Sequence, residues 1–500
     1  MTPARQKGVA LRPVSVPGMR PVLFIVGLVL LSTAGMMLFP MLVDLYYGSD
    51  DWLAFVAAAV LSAALGYGLI HANRGSLKTG FTLRQAFLLT PLSWGSVAAV
   101  SAMPFFFSDY GIVSRSAADS FFEAVSGITT TGATVISGLE GAPPGMLLWR
   151  ALLQWMGGIG IIATAIAILP ALGIGGMQLF RTESSDRSEK AMPRVRQIAV
   201  VIGLVYLGLT LLAALVYRLA GMRPFDAVAH AMTSIATGGY STSDGSFGTW
   251  EAYGIQWFAT LFMLSGTIPF VLYVRFVAGE YRALWDRQVR TILAFLAVVV
   301  LSLGLWLTLS GQYGIEPAFR HAAFNVVSVV TTTGYATTDY SLWGNAVVGI
   351  FLALTFVGGC TGSTSGGIKI FRFEVLAIML KAQFLRLLYP RGGFPRSYGE
   401  RPLDDEVIGS VVSFVAVFFL CYAAFTIALM AFGLDFLTSA SGAATALANV
   451  GPGLGEIIGP AGNFGSLPDG AKWLLSFGML LGRLELFTVL ILFVPRFWRG

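Results

Sequence analysis

Thr-Thr-Thr-Gly-Tyr-Ala-Thr-Thr-Asp-Tyr, residues 331–340, is the stretch on which the reading of this chain turns, because its core comes back three times. The other copies are Thr130-Thr131-Gly132-Ala133, Thr237-Gly238-Gly239-Tyr240 and Asn449-Val450-Gly451-Pro452. Counted between the marker glycines 132, 239, 334 and 451, the intervals are 107, 95 and 117 residues. A hydroxyl residue stands six positions before each marker: Ser126, Thr233, Ser328 and Thr445. The second and third copies also agree downstream, Gly239-Tyr240-Ser241-Thr242-Ser243-Asp244 against Gly334-Tyr335-Ala336-Thr337-Thr338-Asp339. The chain therefore contains four diverged units of one kind.

The solvent around those units follows from composition. With 56% hydrophobic residues, 12% charged residues and a mean hydropathy of +0.75, a 500-residue chain is an integral membrane protein. Crossing about 30 Å of hydrocarbon takes about 20 apolar residues. Runs of that kind lie near 21–43, 52–71, 85–107, 145–169, 197–219, 252–278, 289–310, 344–381 (interrupted), 408–433 and 471–495, which makes ten spans. Four shorter segments, near 116–129, 224–236, 318–331 and 437–448, cannot span and end at the Thr/Gly copies. They read as re-entrant half-helices, and irregular backbone at that depth must be buried in protein or line a wet cavity. Four such segments in one chain point to one shared pore.

Of the 32 Lys and Arg residues, 25 fall in segments assigned to one side, which places both termini in the cytoplasm and the Thr/Gly loops toward the outside. The net charge of +6 is thus an orientation signal; basic residues do not interleave with aromatics as a nucleic-acid surface would require. Cys360 and Cys421 give no disulfide or metal framework, and no nucleophile–base set or nucleotide fingerprint is present, so the chain does not read as an enzyme.

A cation leaving water needs oxygen ligands in place of its hydration shell, and rings of backbone carbonyls supply them without fixed charge. Glycine allows the positive φ that aims successive carbonyls at one axis. A half-helix behind each segment points its negative C-terminal end at the ion.

With these motifs in hand, Thr-Thr-Thr-Gly-Ala-Thr at 129–134, Ala-Thr-Gly-Gly-Tyr-Ser-Thr at 236–242, residues 331–340 and Asn-Val-Gly-Pro-Gly-Leu-Gly at 449–455 resemble the filters of Trk-type potassium transporters. The resemblance extends over the whole chain, and the two extra leading spans favour the TrkH branch over KtrB-like members. It implies an all-α polytopic fold: four pseudo-symmetric helix, pore-helix, helix repeats around one pore, preceded by two further transmembrane helices. The divisions it suggests are a cytoplasmic N-terminus (1–20), the leading pair (21–84) and pore repeats at 85–180, 181–280, 281–400 and 401–500.

By the same resemblance, carbonyls around Thr130, Thr131, Thr237, Gly238, Thr332, Thr333, Asn449 and Val450 coordinate potassium, and Gly132, Gly239, Gly334 and Gly451 shape the turns. A serine at the first marker position accompanies sodium permeation in the wider superfamily, so Gly132 favours potassium. Asn449 and Pro452 depart from the Thr pattern and leave the fourth strand the least defined.

The run Gly358-Gly359-Cys360-Thr361-Gly362-Ser363-Thr364-Ser365-Gly366-Gly367-Ile368-Lys369 interrupts the eighth span. It is no phosphate loop, since the G-x-x-x-x-G-K-[S/T] spacing fails. Such a run unwinds a helix in mid-membrane, either for close packing or as a movable constriction; the resemblance assigns it to an intramembrane gate. Arg483, in the last span, costs on the order of 3 kcal/mol there and must face the pore or a partner. The family places an arginine here as a positive plug.

Glu123, His230 and Asn325 share a position nine before the marker, and either pair with helix ends behind the filter or cap local polar groups. Asp244 and Asp339 either concentrate cations at the mouth or are ordinary loop carboxylates.

An inside-negative potential is worth about 2.3 kcal/mol per charge per 100 mV, so ~150 mV supports accumulation of roughly a few hundredfold without a pump. The resemblance further implies a homodimer in the bacterial inner membrane and a TrkA-like regulatory ring that carries the nucleotide (ATP/ADP or NAD), with no cofactor in this chain. The basic stretches 181–196 and 381–401 are the expected docking surfaces. A proton-coupled or sodium-permeable transporter of the same superfamily, and a non-conducting polytopic receptor, stay open at this stage.

Overall fold

A computed structural model describes residues 18–75, 82–167, 191–250, 253–399 and 401–499. The stretch 181–190 and the N-terminal residues 1–17, part of the expected docking and cytoplasmic segments, lie outside the described residues.

The leading pair is Arg20–Tyr47 and Trp52–Ala72. Gly27 and Gly66 bring the two together: a β-carbon on either would lie 2.8 Å from the carbonyl oxygen of the other. In a membrane, where apolar surface alone does not drive helices together, such close backbone approach is what packs them. The pair is tied to the first repeat near one end. Asp44 accepts from the Gly145 amide (2.6 Å), and Ser108 donates to Asp51 (2.5 Å).

Each repeat then runs outer helix, pore helix, inner helix. The outer helices are Arg84–Phe107, Ala191–Leu219, Arg287–Leu309 and Asp405–Ala431, and the pore helices are Ala117–Ile128, Pro224–Ile235, Ile315–Val330 and Phe436–Ala448. At 12 to 16 residues the pore helices are too short to cross. Their starts are set locally. Ser116 accepts from the Asp119 amide, Pro224 occupies a first-turn site where no N–H is needed, and Asp435 accepts from the Thr438 amide.

Three of the four inner helices are broken, one where the sequence reading places a break and two where it does not. The first, Pro144–Ala167, is continuous. The third is split into Asn345–Thr355 and Ile370–Leu388 by the glycine-rich run, as expected of the interrupted span. The second and fourth, read as continuous at 252–278 and 471–495, are bent: Gly254–Thr267 meets Phe270–Val277 at 94°, and Asp469–Arg483 meets Leu486–Phe493 at 114°. At the first bend Pro269 has no amide to donate, and the Phe270 amide bonds the Gly362 carbonyl. At the second, Glu485 takes φ +63° and stops the helix.

Candidate functional site

The four Thr/Gly copies have the same backbone course. Two positions before each marker glycine the chain enters the left-handed region, at Thr130 (φ 53°), Thr237 (49°), Thr332 (58°) and Asn449 (56°), and it returns there at Gly132 (84°), Gly239 (80°), Gly334 (83°) and Gly451 (117°). The first of these turns ends the pore helix. In each copy the amide one before the marker bonds the carbonyl six before it: Thr131 to Ser126 (2.9 Å), Gly238 to Thr233 (2.8 Å), Thr333 to Ser328 (2.8 Å) and Val450 to Thr445 (3.1 Å). That is the 6→1 bond of a Schellman ending, normally built on glycine. Threonine pays strain of order 1–3 kcal/mol to sit there, the kind of strain that functional sites hold; Asn449 is the one residue of the four that tolerates the region.

The strands close into a ring. A β-carbon on Gly132 would overlap the carbonyl oxygen of Gly238, one on Gly239 that of Thr333, one on Gly334 that of Val450, and one on Gly451 would lie 2.7 Å from that of Thr131. All four oxygens belong to the residue before a marker, so strand one abuts two, two abuts three, three abuts four and four abuts one. Every marker must be glycine because the neighbouring strand's carbonyl fills the place of its side chain.

Side chains lock the strands from behind. Thr131 and Thr333 turn their hydroxyls to Thr129 and Thr331 (both 2.7 Å), and the Asn449 amide donates to the Thr131 hydroxyl (2.9 Å) and the Met479 carbonyl (2.9 Å). In the second copy Gly238 stands where the first and third have Thr, because Gln154 occupies that space. Gln154 donates to the Gly238 carbonyl (2.6 Å) and accepts from the Tyr240 amide (3.0 Å). Tyr240 and Tyr335, each following a marker, reach the preceding repeat's pore helix: Tyr240 donates to the Glu123 carbonyl (2.8 Å) and Tyr335 to the His230 carbonyl (3.3 Å).

The ring separates two cavities. Above it, a space of about 230 Å³ is lined by Gly132, Gly239, Gly334, Pro452 and Arg150 among others. Below it, about 30 Å³ remains between Gly362, Ser363, Ser365, Gly366, Lys369 and Arg483, room for a water or two.

The glycine-rich run closes the lower side. Its ends pair in parallel, Val357 with Ile368 and Gly358 with Lys369. Its middle touches the inner end of three strands: the Gly366 amide donates to Thr332 Oγ1 (2.6 Å), Thr237 Oγ1 to Thr364 Oγ1 (3.1 Å), and the Gly367 amide to the Ala448 carbonyl (2.8 Å). Gly358, Gly359 and Gly366 have no room for a β-carbon, each place being filled by Gly366, Thr267 and Ala448 in turn. Arg483 donates from Nη1 to the Thr364 carbonyl (2.9 Å), and Lys369 to the Ser365 carbonyl. Arg483 makes no ion pair among the described residues, and its Nε and Nη2 are unbonded. Glu485, two residues on, pairs with Arg372 (2.8 Å) instead.

A model of the family described as TrkH, cation transport protein, matches residues 53–499. The chain belongs to that family. It is similar along its length to named members: 49% identical over 487 residues to the Trk system potassium uptake protein TrkI of Halomonas elongata, covering 96% of this chain and 97% of the relative. It is 37% identical to the TrkH protein of Escherichia coli over 492 residues, with 96% and 99% covered. The crystal structure of the potassium transporter TrkH from Vibrio parahaemolyticus superposes with a TM-score of 0.88 at 36% identity, covering 96% of this chain and 99% of that one. Members of this family are cation transport proteins, so the chain is a transporter and not an enzyme.

Within this TrkH-family fold, the twelve residues expected from the sequence to form the filter stand in the four strands of one ring, and the run 358–369 with Arg483 stands against it. Asp244 lines the upper cavity and its carboxylate accepts from the Gly138 (2.6 Å) and Leu139 (3.1 Å) amides, while Asp339 caps a turn at Ser341 (2.9 Å). Glu123 and Asn325 hold the outer ends of their own strands, through the Val135 (3.0 Å) and Thr337 (3.2 Å) amides, and His230 reaches the Ser241 hydroxyl (3.0 Å). Gln154 and Arg150 were not singled out by sequence reasoning. The available signal was a polar side chain inside an apolar span, which in a membrane marks function by default. Among the described residues, no group of three or more His, Cys, Asp or Glu is placed to hold a metal ion.

Proposed function

We propose that this chain carries potassium into the cell through a gated pore, driven by the membrane potential. The closed ring of carbonyls from Thr131, Gly238, Thr333 and Val450 carries this reading. Backbone oxygens on four sides of one axis replace a hydration shell without trapping the ion by net charge. The printed names of the relatives, Trk system potassium uptake proteins, support potassium as the cargo.

The layer formed by 358–369 is the gate. Arg483 beneath the ring adds a buried positive charge with no carboxylate of its own, which raises the electrostatic barrier for any cation below the filter. Opening requires the loop to release Thr332 and Thr237 and Arg483 to leave the Thr364 carbonyl.

The basic-residue asymmetry supports cytoplasmic termini in the bacterial inner membrane. "Trk system" in the relatives' names supports further subunits, and we assign the chain a homodimer on a nucleotide-binding, TrkA-like ring docked near 381–399. Charge reversal at Lys381, Arg386 and Arg391 weakens ring binding if that surface is correct and leaves it unchanged if not.

The function is tested by rubidium and potassium uptake into liposomes holding the purified chain under an imposed inside-negative potential. The expected result is potential-driven flux with weak sodium competition. Equal sodium flux, or uptake driven by a proton gradient alone, overturns it.

A further inference from the structure

The ion pair Arg150–Glu123 is buried at the edge of the upper cavity, which Arg150 helps to line, apart from the filter and gate residues, with the two side chains 1% and 0% exposed. Arg150 Nε donates to Glu123 Oε1 (2.8 Å), Nη1 to the Ser241 carbonyl (2.8 Å) and Nη2 to the Thr134 hydroxyl (3.2 Å). Its guanidinium lies 4.0 Å from the centre of the Tyr240 ring. Glu123 in turn accepts from the Thr134 hydroxyl (3.0 and 3.1 Å) and the Val135 amide (3.0 Å). One planar fork thus grips residues just past Gly132 in strand one and just past Gly239 in strand two.

The other repeats hold the same place with neutral groups that serve their own strand. His230 reaches the Ser241 hydroxyl, Asn325 the Thr337 amide and hydroxyl, and in the fourth repeat, where the position is Gly442, the adjacent Ser441 hydroxyl accepts from the Leu454 amide (2.9 Å). Stability does not explain a charged pair here, since apolar replacement of a buried pair is often neutral or stabilising. What it supplies is direction: the guanidinium's donors leave in fixed geometry. Gly132 abuts the Gly238 carbonyl at this same seam, so a displacement of strand two against strand one changes the spacing of two of the four ring oxygens.

We propose that Arg150 and Glu123 are a positioning pair that fixes the seam between filter strands one and two and thereby sets which monovalent cation the ring prefers. The proposal rests on the pore reading above. Neither residue touches the ion; each acts through Thr134, Ser241 and Tyr240. A lysine at 150 keeps the charge but cannot span three acceptors with one ammonium, so charge alone does not rescue.

The test is the potassium-to-sodium flux ratio in liposomes for wild type, Arg150→Lys, Glu123→Gln and Thr134→Val. Removing charge-assisted bonds at this seam is expected to lower the ratio about tenfold in the first two variants, with potassium flux falling less. Thr134→Val, which keeps the pair and its Val135 amide bond but removes the hydroxyl link to strand one, lowers the ratio by a smaller factor. Ratios unchanged in folded Arg150→Lys and Glu123→Gln overturn the proposal; if those two do not purify as folded protein, an unchanged ratio in Thr134→Val overturns it. Wild-type protein that carries no potassium refutes the pore reading instead.

Discussion

Three threonines and one asparagine hold the left-handed turns at the inner end of the filter, and glycine holds the marker positions for a different reason. At residues 237, 332 and 449 the side chain is used, through Thr364, the Gly366 amide and Thr131, while the Thr130 hydroxyl is buried without a hydrogen-bond partner; at 132, 239, 334 and 451 a neighbour's carbonyl excludes any side chain. Gly239→Ala is therefore expected to abolish selective flux, while Gly68→Ala, which meets nothing within 4 Å, is expected to leave flux unchanged; both are read by ion uptake into liposomes. The register of the markers was legible in the sequence because only glycine fits, and a hydroxyl residue six positions before each glycine recurs in all four copies while the rest diverges. Gln154 was not, since nothing in its own neighbourhood says that its amide would fill the place of a β-carbon at Gly238 from another repeat.

Among the elements, the proposed gate is a break in one inner helix, contacted by residues at the breaks in two others. Hydropathy reads 252–278 and 471–495 as continuous because the first bend carries no charge and the second only Arg483 and Glu485, too few to interrupt an apolar run; Pro269 was the visible signal for the first, and Glu485 for the second only once its left-handed φ is known. Glu485, at the bend, pairs with Arg372, whose guanidinium also lies 3.5 Å from the centre of the Phe414 ring. Glu485→Ala strands a buried positive charge and is expected to destabilise the protein by about 3–5 kcal/mol, seen as a lowered Tm in detergent. Arg483→Ala has the opposite functional sign. It removes the positive charge under the ring and its bond to Thr364, so potassium flux rises; an unchanged or lower flux in folded protein removes Arg483 from the gate.

Over the whole molecule, four unlike sequences make one ring, and the seams between them are unequal. The outer mouth of the first seam is closed by Glu140, which accepts from the Ser243 hydroxyl (2.6 Å) and the Asp244 amide (3.0 Å). The Ser243 bond holds the Glu140 carboxyl below its ordinary 4.5. A lowered carboxylate stabilises above its unfolded value and loses that contribution as pH falls through the folded one. The Tm advantage of wild type over Glu140→Gln is thus expected to be constant at pH values well above 4.5 and to shrink as the pH falls below it; an advantage that grows on acidification contradicts it. Fold class, four repeats and the break in the third inner helix could be read before any coordinates, because hydropathy and repetition report on each unit by itself. The order in which the strands meet, and the cross-repeat bonds of Arg150, Gln154 and Tyr240, could not, because they join residues about a hundred positions apart.

The central claim is that the oxygens of Thr131, Gly238, Thr333 and Val450 coordinate one cation on a common axis. Crystals of the protein grown in rubidium or thallium, with anomalous scattering measured at the ion's edge, test it most directly. The account predicts a peak on the axis equidistant from those four oxygens, lost in Gly239→Ala. A peak held by side-chain carboxylates off the axis, or an empty ring at saturating ion, would contradict it.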